Sequence, residues 1–326
     1  MATLYLDRSG VELREEGASL AIYVGGERCR SVPLHLLERI VIFGRTGLSS
    51  RLLAKLAERN IGVAIIDRRT GSLRVGLSWF GGGDASRRLA QYRAYHDAAW
   101  RSGWARRLVA RKLVGQRRLL LEAAEERPAE RHRLVGASAT LAQILDRLRS
   151  EEALEPAAIM GLEGAAAHAY FAAYSALFAP ALGFRERNRR PPRDPVNACL
   201  SLAYTLAYHR AGVELAAAGL DPAIGFYHET AHGRDSLACD LVEPLRPHVD
   251  AWVWELFRRR ILRPEHFRRH AGACLLGKGG RAAFYEEHER FSDRLGTRLR
   301  RFTRLLVRAL TGEATSVEIV EDAAEP

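Results

Sequence analysis

An imidazole and two carboxylates lie close together in the third quarter of the chain. His228 stands in the segment 225–229, and Asp240 and Glu243 follow it, three residues apart. On a helix this spacing places both carboxylates on one face, with Ser236 as the candidate N-cap about one turn earlier. Carboxylate oxygens and one imidazole, without a thiolate, suit Mg²⁺ or Mn²⁺. Such an ion would polarise a phosphoryl oxygen and orient an attacking hydroxyl.

A third carboxylate, Glu163, stands among very small residues in the run 160–167. Small neighbours would let a substrate backbone approach this carboxylate, but they more often mark a tight contact between two helices. His228, Asp240 and Glu243 also have a purely structural interpretation. In it the imidazole is a hydrogen-bonding loop residue, and the carboxylates pair with Arg234 and Arg246. Spacing alone leaves both alternatives open.

A loop stiffened by prolines precedes the next helix and carries five arginines between positions 184 and 197. Asp194 is the predicted N-cap of that helix, with Pro195 at its first position. Arginines on a stiff loop lose little freedom when they meet phosphates. The alternative is a solvated surface loop. The residues that we expect to contact DNA phosphates are Arg187, Arg189, Arg190 and Arg193.

The charge and the cysteines bound the class of protein. A formal net charge of +11 over 326 residues favours a polyanionic partner, with nucleic acid as the first candidate. Only Lys55, Lys112 and Lys278 are lysines, and an arginine bias of this kind also follows from genomic base composition, so charge alone does not decide. The four cysteines lie far apart without a C-x-x-C pair, which argues against a zinc ribbon or a disulfide framework.

The N-terminus lacks the pattern of a signal peptide, and no apolar run is long enough to span a bilayer. We therefore expect a cytoplasmic protein without a membrane partner.

The predicted secondary structure around these residues falls into two regions. Short apolar segments broken by turn residues predict strands at 3–6, 11–14, 20–24, 28–32, 39–43, 63–66 and 73–77, with one helix capped by Ser49 or Ser50. From Ser86 onward apolar residues recur at three and four, which predicts at least five or six helices. The glycine run at 81–84 is typical of a flexible hinge.

The predicted fold class is α+β, with a small β-rich N-terminal domain at 1–85 followed by a larger all-α catalytic domain at 86–310. The remaining residues, 311–326, are acidic and poor in apolar side chains, so we expect a disordered tail.

Three runs, in order and correctly spaced, resemble the CRISPR-associated spacer-acquisition integrases. They are G-L-E-G at 161–164, R-R-P-P-R-D-P-V-N at 189–197, and G-F-Y-H followed by S-L-A-C-D-L-V-E-P-L-R-P within 225–247. The resemblance covers nearly the whole chain. It implies a β-rich domain that forms a homodimer and a helical domain that binds Mg²⁺ or Mn²⁺ through Glu163, His228 and Glu243. Asp240 is then an adjacent acidic residue that supports or shares the site.

The reaction that the resemblance implies is transesterification. The 3′-hydroxyls of a captured double-stranded DNA fragment, the spacer, attack the backbone at each end of a CRISPR repeat. Members usually work as two dimers flanking a dimer of a small ferredoxin-like acquisition protein, which makes a heterohexamer. This chain departs from the commonest pattern at His168, where an arginine often stands, and at Glu243, which replaces the aspartate of some members. The loop after His228 also departs, because it carries Glu229 and His232. His232 is expected to face solvent.

Two other functions remain open. The same metal site could serve a structure-selective nuclease that acts on branched DNA in repair. A non-catalytic DNA-binding scaffold is the third possibility, although carboxylates in a phosphate-binding groove would repel the DNA backbone unless a cation intervened.

Overall fold

The computed structural model describes residues 2–66, 73–77, 85–151 and 154–313. Its N-terminal part consists of strands with one short helix. The strands are β1 (Ala2–Leu6), β2 (Val11–Glu16), β3 (Ser19–Val24), β4 (Glu27–Pro33), β5 (Leu37–Ile42), β6 (Thr46–Leu48), β7 (Gly62–Ile66) and β8 (Leu73–Leu77). Each predicted strand is confirmed to within a few residues, and β6 is the one that the pattern missed. Three residues are too few to show an alternation of apolar and polar side chains.

The strands form two four-stranded sheets within the described residues, ordered β1-β5-β7-β8 and β4-β3-β2-β6. In the first sheet β1, β5 and β7 run parallel, and β8 is antiparallel to β7. Helix α1 (Ser50–Glu58) connects the sheets, and Ser49 caps it by accepting a 3.1 Å hydrogen bond from the Leu52 amide. Leu52 and Leu56 are fully buried, which fixes this helix against the apolar side of the sheets.

The C-terminal part is mostly helical, which confirms the α+β class. Its helices are α2 (Ala85–His96), α3 (Ala98–Glu126), α4 (Arg131–Ser150), α5 (Pro156–Tyr174), α6 (Pro195–Ala217), α7 (Ser236–Val242), α8 (Arg246–Arg258) and α9 (Lys278–Thr311). Prolines set several of these boundaries: α5 and α6 both begin on one, because a proline at the first helical position loses no hydrogen bond.

A hairpin interrupts the helices, so the C-terminal part is not helical throughout. Strands β9 (Phe267–His270) and β10 (Ala273–Leu276) pair antiparallel around a turn at Ala271 and Gly272, which both have positive φ. Periodicity missed them because each strand has only four residues. The Cys274 amide donates a 2.7 Å hydrogen bond to the Pro192 carbonyl, which ties the hairpin to the arginine-rich loop.

The two parts contact each other through β1 and α9. Tyr5 stacks on Tyr285 with ring centroids 4.6 Å apart, and its hydroxyl lies 2.7 Å from Nδ1 of His288. Arg281 pairs with Asp7 at 2.6 Å. Side chains of β5 and β7 also join the apolar cluster of the helices, so the core is continuous across the two parts.

The predicted hinge at 81–84 and most of the predicted tail at 311–326 lie outside the described residues, and the division near residue 85 stays a prediction. None of the described helices combines the length and apolar character needed to cross a membrane.

Candidate active site

Four separate segments bring the predicted site residues together. Glu163 lies on α5, His228 lies in the loop between α6 and α7, Asp240 lies on α7, and Glu243 begins the single 3-10 turn that follows. The fold therefore joins side chains that are up to 80 residues apart in the chain.

Asp240 is buried and works as an anchor for the histidine loop. Its carboxylate accepts hydrogen bonds from the backbone N–H groups of Phe226, Tyr227 and His228 at 2.6, 2.9 and 3.0 Å. It also lies 2.7 Å from Nδ1 of His228. With both oxygens used in this way, Asp240 acts on the site through His228. The approach of this loop to α7 requires Gly225, because a Cβ there would lie 2.7 Å from the backbone of Ser236.

The role expected for Ser236 is wrong. Ser236 is the first residue of α7 and not its cap, and its hydroxyl donates a 2.8 Å hydrogen bond to the Glu229 carbonyl. Glu243 lies just beyond the helix, so Asp240 and Glu243 do not serve as a matched pair. Asp240 turns toward the loop, whereas Glu243 turns toward α3.

The carboxylate of Glu243 lies among three basic side chains. Its oxygens are 2.8 Å from Nζ of Lys112, 2.8 Å from Nε of Arg246, and 3.9 Å from Nε2 of His228. The same Lys112 ammonium also pairs with Glu163. Lys112 therefore bridges the two carboxylates that spacing and family resemblance had singled out. We call Glu163, Glu243, His228 and Lys112 the acidic cluster.

The electrostatics of the cluster favour the ionised form of Glu243. Burial by itself would raise the pKa of Glu243, but the nearby Arg246, Lys112 and His228 side chains outweigh burial and lower the pKa to about 2. Burial raises the pKa of the Tyr227 hydroxyl, and the nearby Glu163 and Glu243 carboxylates raise it further. Glu243 is therefore a carboxylate at neutral pH, and Tyr227 keeps its proton.

The donor set of the cluster fits Mg²⁺ or Mn²⁺. Two carboxylates face a common cation, and the imidazole is held through Nδ1 so that Nε2 is directed toward Glu243. Carboxylates that orient metal-binding histidines in this way are common in proteins. In the part of the chain that the structure describes, no three His, Cys, Asp or Glu side chains already stand in position to hold an ion. The Lys112 ammonium lies between the Glu163 and Glu243 carboxylates.

Small residues on α5 leave open space beside Glu163. A Cβ at Gly161 or Gly164 would meet nothing within 4 Å, so neither glycine lies in a tight helix contact. Gly115 on α3 does lie in a close helix contact, because a Cβ there would lie 2.9 Å from the Pro247 side chain. The open side of α5 is a surface that a substrate backbone could approach.

The arginine-rich loop divides into two groups. Arg187 turns inward, donates to Asn197 at 2.8 Å and to Ser201 at 3.1 Å, and lies over the Tyr204 ring. Arg189, Arg190 and Arg193 are exposed. Arg187 therefore stabilises the loop from inside, whereas the three exposed arginines are available to a ligand.

Asp194 caps α6 as predicted, because its carboxylate accepts a 2.8 Å hydrogen bond from the backbone N–H of Asn197. His168 and His232 are both exposed, which agrees with the solvent-facing position expected for His232. Of the arginines suggested as partners of the carboxylates, Arg246 pairs with Glu243, whereas Arg234 bonds to Ser236 and to the Glu229 carbonyl.

Lys112 is the residue that the sequence did not single out. The signal that could have found it is its residue type, because it is one of only three lysines in an arginine-rich chain.

A cavity of about 480 Å³ between α8 and α9, lined by Trp252, Phe291 and several arginines, shares no residue with the acidic cluster.

Known proteins resemble this chain along most of its length. A family model described as CRISPR associated protein Cas1 matches residues 4–290. The chain is 37% identical to a CRISPR-associated endonuclease Cas1 of Thermodesulfovibrio yellowstonii, over 89% of this chain and 91% of that protein. A casposase bound to integration product has a TM-score of 0.82 at 22% identity, covering 100% of this chain and 95% of that one. A Cas6-RT-Cas1–Cas2 complex gives 0.82 at 22%, covering 97% and 35%. These two solved structures are evidence of the fold alone, whereas the sequence matches show that the chain belongs to the Cas1 family of CRISPR-associated proteins.

Proposed function

We propose that this protein is a metal-dependent DNA endonuclease and integrase that inserts short DNA fragments into a CRISPR array. The observation that carries the proposal is the convergence of Glu163, Glu243 and His228 from three separate segments, with Asp240 fixing the imidazole. A protein that only bound phosphates would gain nothing from placing these carboxylates beside its DNA surface.

The residues of the site divide the work of phosphodiester transfer. Glu163, Glu243 and His228 would hold Mg²⁺ or Mn²⁺, which when bound stabilises negative charge on the phosphoryl group and favours attack by a 3′-hydroxyl. Asp240 holds the imidazole ring and the backbone of 226–228 in one orientation. The low pKa of Glu243 keeps its carboxylate ionised throughout.

The DNA would reach the site over the open side of α5. Gly161 and Gly164 leave room for a backbone beside Glu163, and the exposed Arg189, Arg190 and Arg193 can contact phosphates. The double-stranded substrates would be the incoming fragment and the CRISPR repeat.

The names of similar proteins support the reaction and its partners. The curated relative is named an endonuclease, one similar structure is a casposase with its integration product, and another contains Cas2. We propose by analogy that the chain forms a homodimer through its β-rich part. Two such dimers would flank a dimer of a small ferredoxin-like acquisition protein in a heterohexamer. The cytoplasmic location stays a prediction from the sequence.

A strand-transfer assay tests the proposal. The full-length protein, with and without its small partner, is given a short duplex with free 3′-hydroxyls and a supercoiled plasmid that carries a repeat, in Mn²⁺ or in EDTA. We expect joining only with Mn²⁺, and we expect Glu163→Ala and His228→Ala to abolish it. His232→Ala is the matched control, because that histidine of the same loop is exposed, and it should join DNA like the wild type.

Other outcomes would select the alternatives. Metal-dependent cleavage of branched DNA without joining would favour a repair nuclease. Binding of DNA without metal-dependent chemistry would favour a scaffold, and undiminished joining by Glu163→Ala would contradict the proposed site.

A further inference from the structure

Lys112 occupies a position that its surroundings make unusual for a lysine. It lies in the middle of α3 between buried apolar residues of the same helix, and only 6% of its surface is exposed. Buried lysines normally need a partner of opposite charge, because desolvation of an ammonium is costly. Lys112 has two such partners, Glu163 and Glu243, and they are the predicted metal ligands.

The two carboxylates need a cation between them. Glu243 is 4% exposed, so its charge is screened weakly by water. The ammonium of Lys112 lies within hydrogen-bonding distance of both carboxylates and offsets their mutual repulsion. A divalent ion would need lone pairs of the same deprotonated oxygens. The ammonium and the ion therefore compete for one place.

We propose that Lys112 is a positioning residue of the metal site. In the metal-free protein its ammonium takes the place of the ion and holds Glu163 and Glu243 facing each other, and the entry of the ion displaces it. This inference rests on the metal site of the proposed function.

The side chain suits a cation that must leave. An ammonium is a compact point charge on a flexible stem, so it can bridge two carboxylates and withdraw by rotation of that stem. A guanidinium is planar and binds one carboxylate through two parallel bonds, which makes it harder to displace. The chain uses arginine at nearly all its basic positions, but it has a lysine here.

The proposal predicts opposite effects on stability and on metal affinity. Lys112→Met removes the built-in cation, so the metal-free protein should unfold at a lower temperature. The same variant should bind Mn²⁺ more tightly, by about tenfold, because its competitor is gone. Lys112→Arg keeps the charge but should bind Mn²⁺ more weakly than the wild type.

The experiment measures two quantities on the full-length protein. Thermal unfolding is followed in EDTA and at increasing Mn²⁺, and bound Mn²⁺ is counted from the electron paramagnetic resonance of the free ion. Lys55→Met is the matched control, since that lysine pairs with Glu15 in the β-rich part, and it should leave Mn²⁺ affinity unchanged. If Lys112→Met does not fold, the Mn²⁺ affinity of Lys112→Arg is still compared with that of the wild type, and the proposal predicts weaker binding by the variant.

Each outcome separates this inference from the function beneath it. If the wild type binds Mn²⁺ and both Lys112 variants bind it with the same affinity, the displacement of Lys112 is wrong and the metal site stands. If the wild type binds no Mn²⁺, the metal site of the proposed function is wrong, and the displacement fails with it.

Discussion

Asp240 holds His228 through Nδ1 at 2.7 Å, while Nε2 of the same ring lies 3.9 Å from Glu243. The carboxylate that fixes the ring also accepts hydrogen bonds from three backbone N–H groups of the loop that carries it. One buried side chain thus sets both the position of the loop and the direction of the free ring nitrogen. This relationship makes Asp240 a positioning residue, distinct from Glu163 and Glu243.

Replacement of Asp240 by Asn should therefore weaken the site without removing any predicted ligand. The amide would turn an NH₂ group toward N–H donors, and we expect Mn²⁺ affinity or DNA joining to fall about 10- to 100-fold. The free energy of unfolding should fall by about 1–3 kcal/mol, because buried donors lose their acceptor. Mn²⁺ titration and urea unfolding measure the two effects. Asp97→Asn is the control, since Asn caps α3 as well as Asp does.

The outward arginines of the loop should govern DNA affinity. Reversal of charge at Arg189, Arg190 and Arg193 to Glu should weaken binding to every DNA sequence. The slope of log K against the logarithm of the salt concentration should become less steep by about one for each phosphate that the variant no longer binds. Fluorescence anisotropy at several salt concentrations measures this slope. A matched control reverses three exposed arginines of α4, namely Arg131, Arg147 and Arg149. Equal slopes for the wild type and the loop variant would show that the loop is only solvated.

Arg187 should behave differently from its neighbours. Its guanidinium bonds to Asn197 and Ser201 and lies over Tyr204. Arg187→Ala should therefore lower the unfolding temperature, which differential scanning calorimetry measures. Weaker DNA binding with an unchanged unfolding temperature would contradict the bracing role.

The glycines of α3 and α5 should respond in opposite ways to a methyl group. Gly164→Ala should keep or raise stability by up to about 1 kcal/mol, because Ala favours helix and the added Cβ meets nothing within 4 Å. Gly115→Ala should lower stability, because its Cβ would lie 2.9 Å from Pro247. Gly164→Leu should fold but join DNA about 100-fold more slowly, because the bulky side chain displaces the substrate backbone. Unfolding curves measure the stability of the variants, and a strand-transfer assay measures the joining rate of Gly164→Leu. Normal joining by Gly164→Leu would show that the substrate does not pass this side of α5.

Two buried histidines should make the fold sensitive to acid. Burial and the positive charges of Arg39 and Arg210 lower the pKa of both His209 and His288 to about 3. In the unfolded chain their pKa is about 6.5. As the pH falls from about 6.5 toward 3, the unfolded chain takes up protons that the folded chain does not. The free energy of unfolding should therefore fall by at most about 1.4 kcal/mol per pH unit for each histidine.

Urea unfolding at pH 7, 6 and 5 measures this loss of stability. His288→Gln should reduce the slope against pH, whereas His232→Gln, at an exposed position, should leave it unchanged. Parallel curves for the wild type and His288→Gln would show that His288 does not titrate as its burial implies.

Local sequence patterns specify the secondary-structure elements and the residue types at the site. Strands and helices appear as local periods of apolar residues, and Asp194 and Ser49 cap their helices through bonds to residues three positions away. Local signals of this kind need no knowledge of the rest of the chain. Residue types and spacing singled out Glu163, His228 and Glu243 as candidates, and the resemblance of their runs to those of a known family predicted them as metal ligands.

Which side chains meet depends on how distant segments pack together. Lys112 reaches Glu163 and Glu243 across 51 and 131 residues of chain, a contact that no period or spacing encodes. The same holds for the inward turn of Arg187 and for the contrast between Gly115 and Gly164, because a glycine's neighbours are set by how helices pack. The sequence supplied the residue types, and long-range packing assigned Asp240 to the imidazole, Glu243 to the basic side chains around it, and Lys112 to a position between Glu163 and Glu243.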